Sequence, residues 1–161
     1  MTNEASLSVL RASKLAADLD EQECRLLSGL VQIRELAPGE VLAREGTADN
    51  HLYVVASGNL DVIRYADVGT RLPIATLSEG DLADELNFID GMERQTSLVA
   101  QGPARVLALE RERLESLLAT HPAIVYHVMR AIIRTAHQTQ RRLSLQAVEL
   151  MNYVYKQHGR Y

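Results

Sequence analysis

The sequence has little of what secreted or membrane-embedded proteins rely on. Its one cysteine, Cys24, cannot form an internal disulfide, and its leucine neighbours favour a small buried thiol. Apolar runs such as 131–133 end at charged residues long before the roughly 18 residues that a membrane helix needs. Residues 1–10 lack the basic stretch, apolar run and cleavage site of a secretory signal. We therefore expect a soluble, cytoplasmic protein.

There is no excess of positive charge that would attract nucleic acid. The 161 residues carry a formal net charge of −4, which argues against binding of DNA or anionic lipid over the whole surface. Arg134, Arg141 and Arg142 share one segment, but few aromatic residues accompany them, so a solvated helix face is the favoured interpretation. The tail 156–161 is too short for a helix-turn-helix. We expect neither DNA nor membrane as a partner.

The histidines do not follow a metal-binding pattern. Only His51 falls among the strand patterns, whereas a metal site of the cupin type needs a His-x-His pair, a carboxylate and a further histidine. The other histidines belong to helical or terminal segments: His121, His127, His137 and His158. Ser57 and Ser97 have no histidine with an orienting acid near them in sequence. The sequence therefore predicts no metal, no cofactor and no enzymatic activity.

Apolar periodicity divides the chain into three parts of one domain. Residues 1–30 repeat apolar residues at spacings of three and four, which predicts two helices that pack on the rest of the domain, with Asp20 as the N-cap of the second. Residues 31–110 carry short runs broken by glycine-containing turns, which predicts a β-roll. Residues 111–161 return to helical spacing. The expected fold class is mainly β with flanking helices.

Six strands stand out within the roll, and a short helix is expected at 81–90. The predicted strands are 31–36, 51–56, 60–65, 72–77, 96–101 and 104–109. Turn dipeptides such as Pro38-Gly39 separate them.

The segment 123–156 contains neither glycine nor proline and predicts one long helix, opened by His121-Pro122. At 1.5 Å per residue this helix extends about 50 Å, more than a small roll can cover. Its apolar residues form a stripe of Ile124, Val128, Ile132, Ala136, Leu143, Val148, Met151 and Tyr155. Because a second copy would bury the stripe most simply, we expect a homodimer through this helix.

The run ELAPGEVLAREGTADNHLYVVASGNLDV, residues 35–62, resembles the front half of the cyclic-nucleotide-binding domain family. Gly39, Gly46, the turn 49–50 and Gly58 fall where that family places its turns. The resemblance covers roughly residues 20–140. It implies a double-stranded β-helix, which is jelly-roll-like, followed by a long helix, as in a catabolite-activator-like effector domain without the helix-turn-helix.

The segment 80–97 is similar to the phosphate-binding cassette of that family. The resemblance implies that Arg94 binds the phosphate oxygens as a fork and that Gln95 bonds the phosphate. It also implies that Glu85 accepts a hydrogen bond from the ribose 2′-hydroxyl. The ligand implied is cyclic AMP or cyclic GMP.

Three further residues complete the predicted ligand-binding set. Thr139, by its offset from His121-Pro122, falls where the long helix of the family can touch the base. Asp84 and Leu86 flank Glu85 in the cassette.

Asp84 departs from the family pattern, because the family usually has glycine against the phosphate at this position. An inward Asp84 would place a negative charge where the phosphate docks, whereas an outward Asp84 could serve as N-cap of the short helix. Thr96 is a milder departure, since the family normally has alanine there.

Two hypotheses follow from these residues. In the first, the chain is a stand-alone regulatory sensor that binds a cyclic nucleotide and changes how its long helix packs. In the second, the cassette is degenerate and ligand-free, Arg94 pairs with Asp84, Glu85 or Glu93, and the domain serves as a dimerisation scaffold or binds a protein partner.

Overall fold

The computed structural model describes residues 2–159, which begin with a small helical unit. Helix α1 (Thr2–Ala12) leads through a 3-10 turn (Lys14–Ala16) into helix α2 (Glu21–Ser28). A capping box starts α2: the Asp20 carboxylate accepts from the N–H of Glu23 at 2.8 Å, and the Glu23 carboxylate accepts from the N–H of Asp20 at 2.9 Å. The predicted N-cap at Asp20 is confirmed.

Within residues 2–159, eight strands form two four-stranded antiparallel sheets. Their bounds are β1 (Val31–Leu36), β2 (Val41–Ala43), β3 (His51–Ser57), β4 (Leu60–Tyr65), β5 (Arg71–Leu77), β6 (Leu82–Ala83), β7 (Ser97–Ala100) and β8 (Ala104–Glu110). One sheet has the order β1-β8-β3-β6 and the other has the order β2-β7-β4-β5. The predicted strands are all present, and the short strands β2 and β6 are additional. The mainly-β class with flanking helices is confirmed.

Three helices complete the described part of the chain. Helix α3 (Glu85–Asp90) lies between β6 and β7, and helix α4 (Arg111–Glu115) follows β8. Helix α5 (Pro122–His158) runs for 37 residues with proline in its first turn, as predicted. None of the helices described is both long and apolar enough to cross a membrane.

Two apolar clusters stabilise the domain, one on each face of the β1-β8-β3-β6 sheet. Leu52 and Val54 of β3 pack in one cluster with Val128 of α5. Tyr53 and Val55 belong to the other cluster, between the two sheets. Because alternate residues of a strand point to opposite faces, β3 is buried on both sides and forms the centre of the fold.

The long helix is buried in its first part and exposed beyond it. Ile124, Val128 and Ile132 are at most 2% exposed and pack within their own chain. The later members of the predicted stripe are more than half exposed: Leu143, Val148, Met151 and Tyr155. The predicted stripe therefore consists of a buried part, which packs within the domain, and an exposed part from Leu143 to Tyr155. Only the exposed part is available to another molecule.

Two ion pairs and one histidine–carboxylate contact attach the first half of α5 to the N-terminal segment. The Asp18 carboxylate lies 3.6 Å from Nε of Arg130 and 3.1 Å from Nη2 of Arg134. Nδ1 of His127 lies 3.0 Å from the Glu23 carboxylate. These contacts fix the direction in which α5 leaves the roll.

Replacing Gly58 with alanine is expected to destabilise the fold by about 2 kcal/mol more than replacing Gly69. Both glycines have a φ of 74°, so alanine meets the same backbone strain at both positions. A Cβ at Gly58 would lie 2.4 Å from the carbonyl oxygen of Pro103, whereas nothing lies within 4 Å at Gly69. Urea denaturation of Gly58→Ala and Gly69→Ala measures the difference, and equal losses would contradict the close-approach argument.

Candidate functional site

The candidate site is built where strand β6 turns into helix α3. Asp84 links the two with a φ of 65°, and within residues 2–159 it is the one non-glycine residue with a positive φ. Glycine adopts this conformation freely, and aspartate tolerates it better than most residues. Asp84 stands at the N-cap position of α3, but its side chain makes no capping hydrogen bond to the helix. The carboxylate therefore does not have the capping role that the sequence suggested as an alternative.

Arg94 is buried, and its three guanidinium nitrogens all contact protein oxygen atoms. The residue is 3% exposed. Its Nε donates to the two carboxylate oxygens of Asp84 at 3.2 and 2.9 Å, and its Nη2 contacts the same carboxylate. Nη1 donates to Oγ1 of Thr47 at 2.7 Å, and Nη2 lies 3.2 Å from the carboxylate of Asp49. Of the three acids considered as partners from the sequence, Asp84 is the one that pairs with Arg94.

Both charges of the Asp84–Arg94 pair have lost water. Burial alone lowers the pKa of Arg94 and raises the pKa of Asp84. For the arginine, the hydrogen bonds and charges of Asp84 and Asp49 outweigh burial, so the pKa of Arg94 lies above its ordinary value. The guanidinium therefore keeps its charge in the interior.

Asp49, whose side chain is 32% exposed, extends this pair into a polar network. The hydroxyl of Tyr53 donates to Asp49 at 3.1 Å and accepts from Nη1 of Arg34 at 3.4 Å. Burial, reinforced by the charge of Asp49, raises the pKa of Tyr53 to about 12, so the phenol stays neutral. The network thus contains the cations Arg34 and Arg94 and the anions Asp49 and Asp84. Its charges balance within the protein.

A cavity of about 230 Å³ lies next to the cassette, between the β2-β7-β4-β5 sheet and α5. Asp84 and Glu85 are its acidic lining residues. Burial, reinforced by the charge of Asp84, raises the pKa of Glu85. Its apolar walls include Val62, Ile74, Leu77, Leu98 and Leu143. Thr139 and Arg142 line it from α5.

The structure brings most of the predicted ligand residues to this cavity. Four of them line it: Asp84, Glu85, Leu86 and Thr139. Arg94 is not among the lining residues; its Nε donates to Asp84, which is one of them. Gln95 is exposed and lies away from the cavity lining. The binding role of all six residues stays a prediction.

Three residues of the site were not predicted from the sequence. Thr47 and Asp49 contact Arg94 although they are far from it along the chain. From the sequence, Asp49 was interpreted only as a turn residue. The contact between its carboxylate and Arg94 was therefore not predicted. Arg142 follows Thr139 by three positions, and residues at that spacing share a helix face. The predicted position of Thr139 could therefore have been used to predict that Arg142 lines the same cavity.

A β-roll with a turn-and-helix cassette, a buried arginine and a long terminal helix defines a class of regulatory ligand-binding domains. The family model for the cyclic nucleotide-binding domain matches residues 33–121, more than half of the chain. The chain belongs to the cyclic nucleotide-binding domain family.

Two of the named relatives of this chain are a receptor protein for cyclic AMP and the regulatory subunit of a kinase. It is 28% identical over 140 residues to the cyclic AMP receptor protein of Thermus thermophilus, covering 87% of this chain and 65% of that protein. It is 27% identical over 109 residues to the regulatory subunit of the cAMP-dependent protein kinase of Yarrowia lipolytica, covering 68% of this chain and 28% of that protein. The chain thus spans less than two thirds of the length of either relative.

Solved structures show the same fold. A cyclic nucleotide-binding domain from Methylobacillus flagellatus superposes with a TM-score of 0.76 at 27% identity, covering 87% of this chain and 79% of that one. The catabolite activator protein of Thermus thermophilus superposes with a TM-score of 0.70 at 28% identity, covering 84% of this chain and 63% of that one. The predicted β-roll with a long C-terminal helix is confirmed.

Proposed function

We infer that this chain is a regulatory module of its family in which the Asp84 carboxylate occupies the place of a cyclic phosphate. The observation that carries this proposal is the buried contact between Asp84 and Arg94, with Nε donating to the carboxylate at 2.9 Å. A carboxylate and a phosphate use the same donors of a guanidinium. The arginine that a cyclic nucleotide would need is therefore already bound within the protein.

Charge balance supports weak binding of cyclic nucleotides. With Asp84 and Asp49 in place, a cyclic phosphate would bring a third anion to Arg94. Two unit charges about 4 Å apart at an effective dielectric constant near 20 repel by roughly 4 kcal/mol, which corresponds to about a thousandfold in affinity. Of the two hypotheses raised by the sequence, the contacts of Arg94 favour the module that does not rely on a cyclic nucleotide.

Calorimetric titration of the purified chain with cyclic AMP and cyclic GMP tests the proposal. We expect no saturable heat up to roughly millimolar ligand, because each ligand must displace Asp84 from Arg94. Micromolar binding of either nucleotide by the unaltered protein would overturn the proposal and restore the cyclic-nucleotide sensor.

The long helix is the element through which the module would assemble. Leu143, Leu145, Val148, Leu150 and Met151 are all at least half exposed on it. Apolar side chains in such number along one helix are suited to a partner helix of the same kind, and two-fold pairing is the commonest assembly of soluble proteins. A second copy of this chain is the partner we propose.

Light scattering at micromolar concentration is expected to give about twice the chain mass of 17.9 kDa. The double variant Val148→Glu, Met151→Glu is expected to shift the mass towards the monomer, because it places charges in the apolar contact. The matched control is Gln140→Glu, which adds a charge at an exposed polar position and is expected to leave the dimer intact. A mass near 17.9 kDa for the unaltered protein would exclude the dimer.

A further inference from the structure

The contact between Asp84 and Arg94 depends on the charge of one buried carboxylate. The side chain of Asp84 is 7% exposed and that of Arg94 is 2% exposed, so little water shares the contact. An ionised carboxylate only accepts hydrogen bonds, whereas a protonated one is neutral and carries a donor of its own. Protonation of Asp84 would therefore remove the negative charge that pairs with the guanidinium.

A phosphate that reaches Arg94 would meet two carboxylates already in contact with it. Nε and Nη2 of Arg94 contact Asp84, and Nη2 also lies 3.2 Å from Asp49. Where anionic groups share one site, the pKa of one of them is strongly raised, and that group takes up a proton. A cyclic phosphate is a strong acid and stays ionised. The proton therefore goes to a carboxylate, and it goes to Asp84 because Asp49, at 32% exposure, keeps more water around its charge.

The groups that face Asp84 come from four elements. Arg94 precedes β7, Asp49 precedes β3, Tyr53 lies in β3 and Glu85 begins α3. Burial and the charge of Asp49 raise the pKa of Asp84, against the hydrogen bonds and charge of Arg94, and the net direction is upward. Tyr53 stays neutral, because its pKa is about 12. Burial also raises the pKa of Glu85, which makes Glu85 a second carboxyl to be controlled.

His51 is a titratable group one contact further away. Its Nδ1 lies 3.8 Å from Asp49, and its Nε2 lies 3.4 Å from Nη2 of Arg34. Histidine is the side chain whose charge ordinarily changes near neutral pH. Because these contacts link His51 to Arg94 through Asp49, His51 needs its own control in any pH experiment.

We propose that a cyclic nucleotide enters this site together with one proton, which neutralises the Asp84 carboxylate, so that acidification opens a site that is closed at neutral pH. The proton comes from the solvent and binds a carboxylate oxygen of Asp84, and no bond of the nucleotide forms or breaks. This inference rests on the proposed function, because it requires the ionised Asp84 to occupy Arg94. It adds the condition under which Arg94 becomes available.

The sign of the pH dependence follows from the number of protons bound. The complex holds one more proton than the free protein, so affinity rises as the pH falls. The rise is about tenfold per pH unit while Asp84 is ionised in the free protein and neutral in the complex. The repulsion derived above, roughly a thousandfold in affinity, is the upper limit of the total gain. Affinity stops rising once Asp84 is also protonated in the free protein.

Calorimetric titration with cyclic GMP at about pH 7.5, 6.5 and 5.0 tests the inference. Neither the phosphate nor the base of this probe titrates in that range. We expect no saturable heat at the highest pH and an affinity that increases about tenfold per unit as the pH falls. The chosen values avoid the isoelectric point of about 5.7, where solubility is lowest. Circular dichroism at each pH verifies that the protein remains folded.

The number of protons is measured by repeating the titration at about pH 6.5 in buffers of different ionisation enthalpy. We expect an uptake close to one proton for the unaltered chain and close to zero for Asp84→Asn. The affinity of Asp84→Asn is expected to stay within about threefold between pH 7.5 and 5.0, because its amide does not titrate. The net charge of the protein changes sign near pH 5.7 in both chains, so their difference isolates Asp84.

Two further variants locate the proton. Glu85→Gln and His51→Gln each remove another titratable group near the site, and both are expected to retain the uptake of one proton, whatever their affinity. Loss of the uptake in either variant would place the proton on that residue and overturn the role of Asp84.

The outcomes distinguish this inference from the proposed function. Micromolar binding by the unaltered chain at about pH 7.5 overturns both. No gain in affinity on acidification overturns the inference alone and leaves Asp84 as a permanent occupant of Arg94. A gain of equal size in Asp84→Asn also overturns the inference, because that variant has no carboxylate to protonate.

Discussion

Replacing Asp84 with glycine is expected to raise the affinity for cyclic AMP by roughly a thousandfold. The substitution removes the carboxylate that binds Nε of Arg94 at 2.9 Å and so makes the guanidinium available to the ligand phosphate. Glycine also adopts the φ of 65° at this position without strain, so the turn into α3 is expected to be preserved. Calorimetric titration of Asp84→Gly beside the unaltered protein measures the change.

Asp84→Asn separates charge from bulk. Asparagine has nearly the same size as aspartate and tolerates a positive φ, but it carries no charge. If repulsion excludes the phosphate, Asp84→Asn is expected to recover much of the affinity gained by Asp84→Gly. If Asp84→Asn binds no better than the unaltered protein while Asp84→Gly binds tightly, bulk and not charge blocks the site. Unchanged affinity in Asp84→Gly contradicts the occupied-site argument.

Replacing Arg94 with alanine is expected to reduce the free energy of unfolding by about 3–5 kcal/mol. The loss arises because the Asp84 carboxylate, whose side chain is 7% exposed, then lies in the interior without its cation. The exposed pair of Arg105 and Glu35, with N–O distance 2.8 Å, provides the control. Arg105→Ala is expected to change stability by less than about 1 kcal/mol, since exposed ion pairs contribute little. Urea denaturation measures both variants.

A double variant tests whether the Arg94 effect comes from its partner. Asp84→Asn in the Arg94→Ala background removes the stranded charge and is expected to recover a substantial part of the lost stability. Additive losses in the double variant would show that Arg94 acts through something other than Asp84. A loss in Arg94→Ala as small as that in Arg105→Ala would contradict the burial argument itself.

The fold was predictable because its signals are local. Turns with positive φ occur at Gly39, Gly46 and Gly58, and each separates runs that form strands. The alternation in β3 between Leu52 and Tyr53 places successive side chains in different clusters, as the two-residue period of a strand requires. Such patterns need only a few consecutive residues to be recognised.

The contacts within the site could not be predicted from the sequence. They depend on the direction in which the Asp84 side chain points and on residues far from Arg94 along the chain. The sequence shows that Asp84 replaces a glycine, but only the left-handed turn at Asp84 decides that its carboxylate meets Arg94. Thr47 and Asp49 contribute through the tertiary fold alone. Both Val128 and Val148 fit the helical apolar period, so the sequence could not distinguish them. In the structure Val128 is buried against the roll, whereas Val148 is exposed.

Helix α5 is attached to the domain only in its first half, so a rotation near the attached part displaces its free end by a larger distance. Its first half is held at Asp18 and Glu23, and the cavity-lining residues Thr139 and Leu143 follow directly after that anchored part. From Leu143 the helix continues for about 22 Å to its last residue. A rotation of about 10° at the cavity would therefore displace the far end by about 4 Å, so a small adjustment around an occupant becomes a large one at the tip.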